Sequence, residues 1–189
     1  MFASPGGVAP TVDEASLGIM GGTKAKREKT RTYLDSLAGE LSGPLSLEDV
    51  DLDVYDLVFY LGGHGPMEDL AYGPVSGAML GDRLASDRPL ALVCHAPAPV
   101  LIATEVQGRN AFRGLLMTGF SNLEERLTPF SWKAKWLLED PLKEAGIPYS
   151  KSLIPLKANI VNDDTLYTGQ NPASAAKLAK KLVKDLGRG

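Results

Sequence analysis

Pro89-Leu90-Ala91-Leu92-Val93-Cys94-His95-Ala96-Pro97-Ala98 is the stretch on which the fold turns. Four apolar residues in a row, Leu90 to Val93, have the length and continuity of a strand buried on both faces. They deliver Cys94, the only cysteine among 189 residues, and His95, one of two histidines. A strand, a sharp turn carrying a nucleophile, then a helix is the elbow that exposes a reactive side chain at the top of an α/β sheet. A helix expected from Ala96 to Ala103 would turn its positive end toward the thiol, so a thiol pKa below that of free cysteine is expected. The competing reading makes Cys94 a small buried apolar residue and His95 its satisfied neighbour.

Working outward, Tyr55 to Leu61 is a second short apolar run of strand character, stopped by Gly62-Gly63-His64-Gly65-Pro66. Helices are expected from Thr23 to Ala38, from Pro74 to Ala85 and from Ser174 to Leu186. The last has Leu178, Leu182, Val183 and Leu186 as its buried stripe. Lys24 to Lys29 reads as a solvated charged face. Leu115 to Thr118 is a strand candidate, and Leu153–Val161 with Leu166–Thr168 a strand pair around Asn162-Asp163-Asp164. Asn122 to Ala145 reads as helix interrupted by Pro129 and Pro141, and Ser4 to Gly22 as loop. Strands alternating with helices predict an α/β, doubly wound, mostly parallel sheet with helices on both faces, forming one domain over residues 1–189.

Composition sets the outer limits. An apolar fraction of 44%, a charged fraction of 23% and a net charge of −3 describe an ordinary globular chain and argue against nucleic acid or an anionic membrane as main partner. A lone cysteine excludes an internal disulfide framework and fits a reducing compartment. No apolar run reaches the roughly 18 residues of a membrane span. Met1 to Gly7 lacks the basic and apolar regions of a signal peptide. A cytoplasmic protein is expected.

In such a sheet ligands bind outside the carboxyl ends of the strands. Gly62 and Gly63 after a strand let the backbone approach a ligand and present N–H groups to a developing oxyanion, although a plain tight turn fits equally well. His64 is either a pocket-rim residue or simply exposed. Ser121 and Glu124 have the spacing of a capping box, which accounts for Glu124. Glu125 then stands available to orient His95 and complete a nucleophile–base–acid trio. The spacing of two histidines and one cysteine matches no metal motif.

Five ordered motifs carry a resemblance that spans almost the whole chain. They are Gly62-Gly63-His64-Gly65-Pro66-Met67, Val93-Cys94-His95, Thr118 to Glu125, Trp136 to Asp140, and Thr168-Gly169-Gln170-Asn171-Pro172-Ala173-Ser174. Together they resemble the DJ-1/PfpI superfamily, with its flavodoxin-like, class I glutamine-amidotransferase-like fold, and within it the small heat-shock branch that includes glyoxalase III. The resemblance implies Cys94 as nucleophile, His95 as its partner, Glu125 as the acid, and the backbone N–H groups of Gly63 and His95 as the oxyanion hole. It also implies a homodimer. Two departures stand out. Ala96 occupies a position where the family usually has glycine. The chain also begins at Ala3-Ser4-Pro5-Gly6-Gly7, so the first strand–helix unit, with a glutamate the family sets against its thiol, is expected to be missing through truncation.

The resemblance implies a cysteine-dependent enzyme that turns 2-oxoaldehydes such as methylglyoxal into 2-hydroxy acids without glutathione, metal or organic cofactor. Amidohydrolase or peptidase chemistry at the same thiol, and a non-catalytic stress holdase or redox sensor, are the alternatives.

Overall fold

The computed structural model describes residues 1–14, 16–18, 22–105, 107–129 and 131–187. Its contacts gather into two compact units, Met1–Val50 and Asp51–Gly189. In the first unit, strand β1 (Ala3–Ser4) pairs in parallel with β2 (Leu45–Ser46). Helix α1 (Lys24–Ser36) begins at Thr23, whose hydroxyl accepts from the Lys26 N–H, and buries none of its residues. A short helix α2 (Ala38–Leu41) follows. Part of the loop expected between Ser4 and Gly22, residues 15 and 19–21, lies outside the described residues.

The second unit holds the main sheet, with β3 (Val58–Tyr60), β4 (Leu90–Val93), β5 (Ile160–Asp163) and β6 (Leu166–Gly169). The strand order is β3-β4-β6-β5, parallel from β3 through β4 to β6, with β5 antiparallel to β6 at the edge. β4 is therefore central, and its alternating side chains divide between two cores. Leu90 and Leu92 join Tyr60, Leu80, Phe112, Met117 and Leu142 on one side. Ala91 and Val93 join Phe120, Tyr167, Leu178 and Leu182 on the other. After the short helix α3 (Gly65–Glu68), Leu80 comes from α4 (Pro74–Ala85), Leu142 from α6 (Glu139–Glu144), and Leu178 and Leu182 from α7 (Ala175–Leu186). Helices thus cover both faces of the parallel sheet, as the unbroken apolar run of β4 requires. Each fully buried leucine here contributes about 1.5–3 kcal/mol of hydrophobic stabilisation.

Among the described residues, Arg83 is the one large cation sunk into this core. Its guanidinium donates to the carbonyls of Pro89 (3.1 Å), Leu52 (2.9 Å) and Asp56 (2.9 Å), which ties α4 to the chain entering β3 and β4. One side chain thus serves three carbonyls, of which those of Pro89 and Leu52 also accept from the N–H groups of Val58 and Tyr55.

Several expected elements are shorter than the sequence suggests. The helix expected after Cys94 is only a 3-10 helix, Ala98–Ile102, because Pro97 and Pro99 lack the N–H groups an α-helix needs. The strand expected over Leu115–Thr118 is a single bridge, Met117 to Tyr149. The next N–H groups donate to side chains instead, Thr118 to the Thr168 hydroxyl and Gly119 to the Tyr149 hydroxyl. The Asn122–Ala145 segment resolves into α5 (Asn122–Leu127), a 3-10 turn and α6, with Phe130 outside the described residues. The strand expected from Leu153 begins only at Ile160, since Leu156 takes a left-handed φ of 61°. In α7, Val183 is 73% and Leu186 36% exposed, and neither belongs to the buried stripe. The stripe is the narrower pair Leu178 and Leu182, spaced one turn apart.

Candidate active site

The carboxyl ends of β3, β4 and β6 and the start of α5 converge on Cys94. The residue sits at φ 63°, a left-handed conformation that costs a non-glycine residue about 1–3 kcal/mol. Three backbone hydrogen bonds hold it there. The Cys94 N–H donates to the Gly169 carbonyl (2.8 Å), the Phe120 N–H to the Cys94 carbonyl (2.9 Å), and the Ala96 N–H to the Val93 carbonyl (3.0 Å). The elbow read from the sequence is therefore present, pinned from β6 and from the Thr118–Glu125 motif.

Gly62 lies against this elbow. A side chain there would place its Cβ 2.6 Å from Cys94 Cβ and 2.6 Å from the Val93 carbonyl oxygen, so only glycine fits without backbone movement. Gly63, at φ 98°, turns the chain so that its N–H faces the Cys94 sulfur, as does the N–H of His95. Those are the two N–H groups expected for the oxyanion hole, and the structure brings them together at the thiol.

The side chains form a linear array. Cys94 Sγ lies 3.3 Å from His95 Nδ1, and His95 Nε2 lies 2.6 Å from Glu125 Oε2. Cys94, His95 and Glu125 are 7%, 3% and 4% exposed. An ionised carboxylate only accepts, so His95 Nε2 carries the proton and Nδ1 keeps a lone pair aimed at the thiol. The other oxygen of Glu125 accepts from His64 Nε2 at 3.0 Å, and the His64 and His95 rings stand 4.6 Å apart. Phe120 packs on the far side of the His95 ring at 4.7 Å.

His64 is thus neither a free rim residue nor simply exposed. It is the second donor to the carboxylate, with 26% of its side chain still open to solvent. Sequence spacing could not have found this contact, which joins residues 61 positions apart.

The electrostatics follow from burial. Burial pushes the Cys94 thiol up to about 12, against the opposing N–H groups of Gly63 and His95 and with the carboxylates of Glu125 and Glu124 adding to the rise. This reverses the lowered thiol pKa expected from the sequence. The expected α-helix is a proline-rich 3-10 turn with little dipole to offer, and the sulfur is buried. Burial also lowers His95, opposed by its bond to Glu125. Burial would raise Glu125, but the hydrogen bonds and charges of His64 and His95 outweigh it and hold the carboxyl down at about 2. At neutral pH the array is a thiol, a neutral imidazole and a carboxylate. It suits attack in which Nδ1 takes the thiol proton as the new bond to sulfur forms.

Glu124 does more than the capping box foreseen for it. One oxygen accepts from the Ser121 N–H (3.0 Å), the Ser121 hydroxyl (2.8 Å) and Gln170 Nε2 (2.8 Å). The other accepts from Asn171 Nδ2 (2.7 Å) and the Leu156 N–H (2.9 Å). The Gln170-Asn171 pair after β6 is thereby locked to the start of α5, which fixes where Glu125 points. Burial would raise Glu124 too, but these donors hold it below the usual carboxylate range.

The DJ-1/PfpI family model matches residues 40–185. Glutathione-independent glyoxalase HSP31 of Saccharomyces cerevisiae is 31% identical over 144 residues, covering 74% of this chain and 61% of that protein. Protein/nucleic acid deglycase HchA of Staphylococcus aureus is 27% identical over 184 residues, covering 94% of this chain and 59% of that protein. The chain spans about three-fifths of the length of these curated relatives. Among solved structures, the Rapid Encystment Protein 24 KDa of Francisella tularensis superposes with a TM-score of 0.84 at 29% identity, covering 97% of this chain and 80% of that one. Glyoxalase III from Candida albicans superposes at 0.69 and 20% identity, covering 92% and 70%, a likeness of fold.

Proposed function

The chain belongs to the DJ-1/PfpI family, and from that membership and the array at Cys94 we propose a cysteine-dependent enzyme that converts 2-oxoaldehydes such as methylglyoxal to 2-hydroxy acids without glutathione. The observation that carries the reading is the relay of 3.3 Å from Sγ to Nδ1 and 2.6 Å from Nε2 to Glu125, set at a strand end beside two inward N–H groups. The glyoxalase among its relatives supports the substrate class.

The steps balance without a redox partner. Cys94 Sγ adds to the aldehyde carbon while its proton passes to His95 Nδ1, and the oxygen that gains charge is met by the N–H groups of Gly63 and His95. His95 returns the proton to that oxygen, giving a hemithioacetal. Removal of the proton on the former aldehyde carbon and its return to the neighbouring carbonyl carbon, with the hydroxyl proton passing to the ketone oxygen, move the electron pair within the substrate, so the ketone becomes an alcohol and the sulfur-bearing carbon a thioester. Water then cleaves the thioester, releasing the 2-hydroxy acid and restoring the thiol. Glu125 holds His95 in the tautomer this sequence needs, and His64 steadies Glu125.

The deglycase names among the relatives favour a second reading, in which the same thiol attacks an aldehyde carbon carried as an adduct on an amine. Amide or peptide hydrolysis uses the same nucleophile, and a holdase or redox sensor needs no turnover. A small-molecule substrate, a homodimer and a cytoplasmic setting complete the proposal, in keeping with the absence of any helix long and apolar enough to cross a membrane among the described residues. The test is product analysis with methylglyoxal, glycated amines and peptides as substrates, for wild type and Cys94→Ser. Lactate from methylglyoxal, lost in Cys94→Ser, supports the leading reading. Release of ammonia or peptide fragments without lactate overturns it, as does lactate formation that survives Cys94→Ser.

A further inference from the structure

Both histidines of the chain, delivered by different strand ends, meet on the two oxygens of one carboxylate. Pairwise sequence spacing hides this cluster, because His64, His95 and Glu125 come from β3, β4 and α5. Their donor atoms lie within 4.8 Å of one another. We propose that His64, His95 and Glu125 form a binding site for a borderline divalent cation, with Zn²⁺ the best match, and that its occupancy blocks the chemistry of Cys94.

Two imidazole nitrogens and one carboxylate oxygen, with a position left open for water, are a donor set that suits zinc. Two donors on one tetrahedral zinc at about 2.1 Å each stand about 3.4 Å apart. The widest pair in the cluster, within 4.8 Å, therefore needs to close by up to about 1.4 Å, within reach of side-chain rotations of His64 and Glu125. The ligands are also held in place. Phe120 flanks the His95 ring, and the Glu124 network anchors the helix start that carries Glu125. The His64 side chain is 26% exposed while those of His95 and Glu125 are 4% and 5%, so an ion enters past His64.

The inhibitory consequence rests on the proposed reaction, whereas binding does not. Zinc on His95 Nε2 takes the lone pair there and moves the single ring proton to Nδ1. That nitrogen, 3.3 Å from the sulfur, then has no lone pair with which to accept the thiol proton. Magnesium, which demands six oxygen-rich ligands, finds no such set here.

Titration of ZnCl₂ and of MgCl₂ into chelator-stripped, substrate-free protein, followed by calorimetry, tests the site. One zinc per chain and no magnesium is the expected result. His64→Ala and Glu125→Gln are each expected to weaken zinc binding about tenfold or more, while Cys94→Ala leaves it nearly unchanged. His64→Ala keeps the test readable, since its partly exposed ring can be removed without opening the core. Absence of zinc binding overturns the proposal. So does binding that is lost in Cys94→Ala and kept in His64→Ala, which puts the ion on the thiol. Undiminished methylglyoxal turnover at saturating zinc overturns the blocking role. A protein that binds zinc as described yet leaves methylglyoxal untouched supports the site and fails the reaction instead.

Discussion

Replacing Glu125 by glutamine removes one charge and no volume, and its effect can be worked from the two hydrogen bonds it receives. An amide offers one accepting oxygen where the carboxylate has two. If that oxygen faces His95 Nε2, the tautomer with a free Nδ1 survives, and the partly exposed His64 must turn its own proton away. If the NH₂ faces His95, the ring proton moves to Nδ1 and the base is lost. Loss of a positioned partner of this kind costs about 10²–10⁴-fold in rate, the upper end following when the wrong tautomer prevails. The loss belongs in kcat, because Glu125 touches the histidines and not the bound aldehyde.

Stability moves with pH in a defined direction. The folded carboxyl lies at about 2 against a reference of 4.5. At about 1.4 kcal/mol per pH unit, the difference is worth about 3 kcal/mol. A depressed carboxyl contributes above its unfolded value and loses that contribution as the pH falls from about 4.5 towards 2. Wild type is therefore expected to lose stability in that window faster than Glu125→Gln, by up to about one proton in the slope. Steady-state kinetics on methylglyoxal and denaturant unfolding between neutral pH and pH 2 give both readouts. Unchanged kcat in a folded Glu125→Gln protein would refute the orienting role, and identical acid slopes would refute the depressed, hydrogen-bonded carboxylate.

Two further outcomes are expected. The alkylation rate of Cys94 should still be rising with pH above 9, past the midpoint of about 8.5 of a free thiol, because burial raises it to about 12. A plateau below pH 8 contradicts the neutral thiol–imidazole pair. Gly62→Ala forces a methyl to within 2.6 Å of Cys94 Cβ and of the Val93 carbonyl. It should destabilise the fold by about 1–3 kcal/mol and reduce activity, whereas Gly65→Ala, with open space at its Cβ, should do neither through a clash.

What the sequence disclosed depended on how local each cause was. Four adjacent apolar residues sufficed for β4, and Pro74 to Ala85 matched α4 at both ends, because proline at the first turn and the apolar spacing act within one element. Cys94 was legible as an elbow for the same reason. Glu125 emerged by subtraction, once Ser121 and Glu124 had been explained as a cap, and through the resemblance. Contacts made at long range stayed hidden. The His64–Glu125 bond depends on how α5 packs against the β3 end, and the five donors to Glu124 come from three separate segments. The thiol is raised rather than lowered because a strand end and a helix start are local signals, whereas desolvation is imposed by Gly62, Phe120 and the sheet around them. Val183 and Leu186 lie off the buried stripe because α7 lays only a narrow edge on the sheet, so a stripe extended to them reaches solvent.

Cys94 is the residue proposed to bond to substrate. Acid-quenched peptide mass spectrometry of the Glu125→Gln protein, slowed at proton transfer and mixed with methylglyoxal, addresses this directly. A substrate-derived adduct on the Cys94 peptide, absent when Cys94→Ser is added to the same protein, is the expected result. Turnover with no adduct at Cys94, or an adduct confined to lysine and arginine side chains, would contradict it.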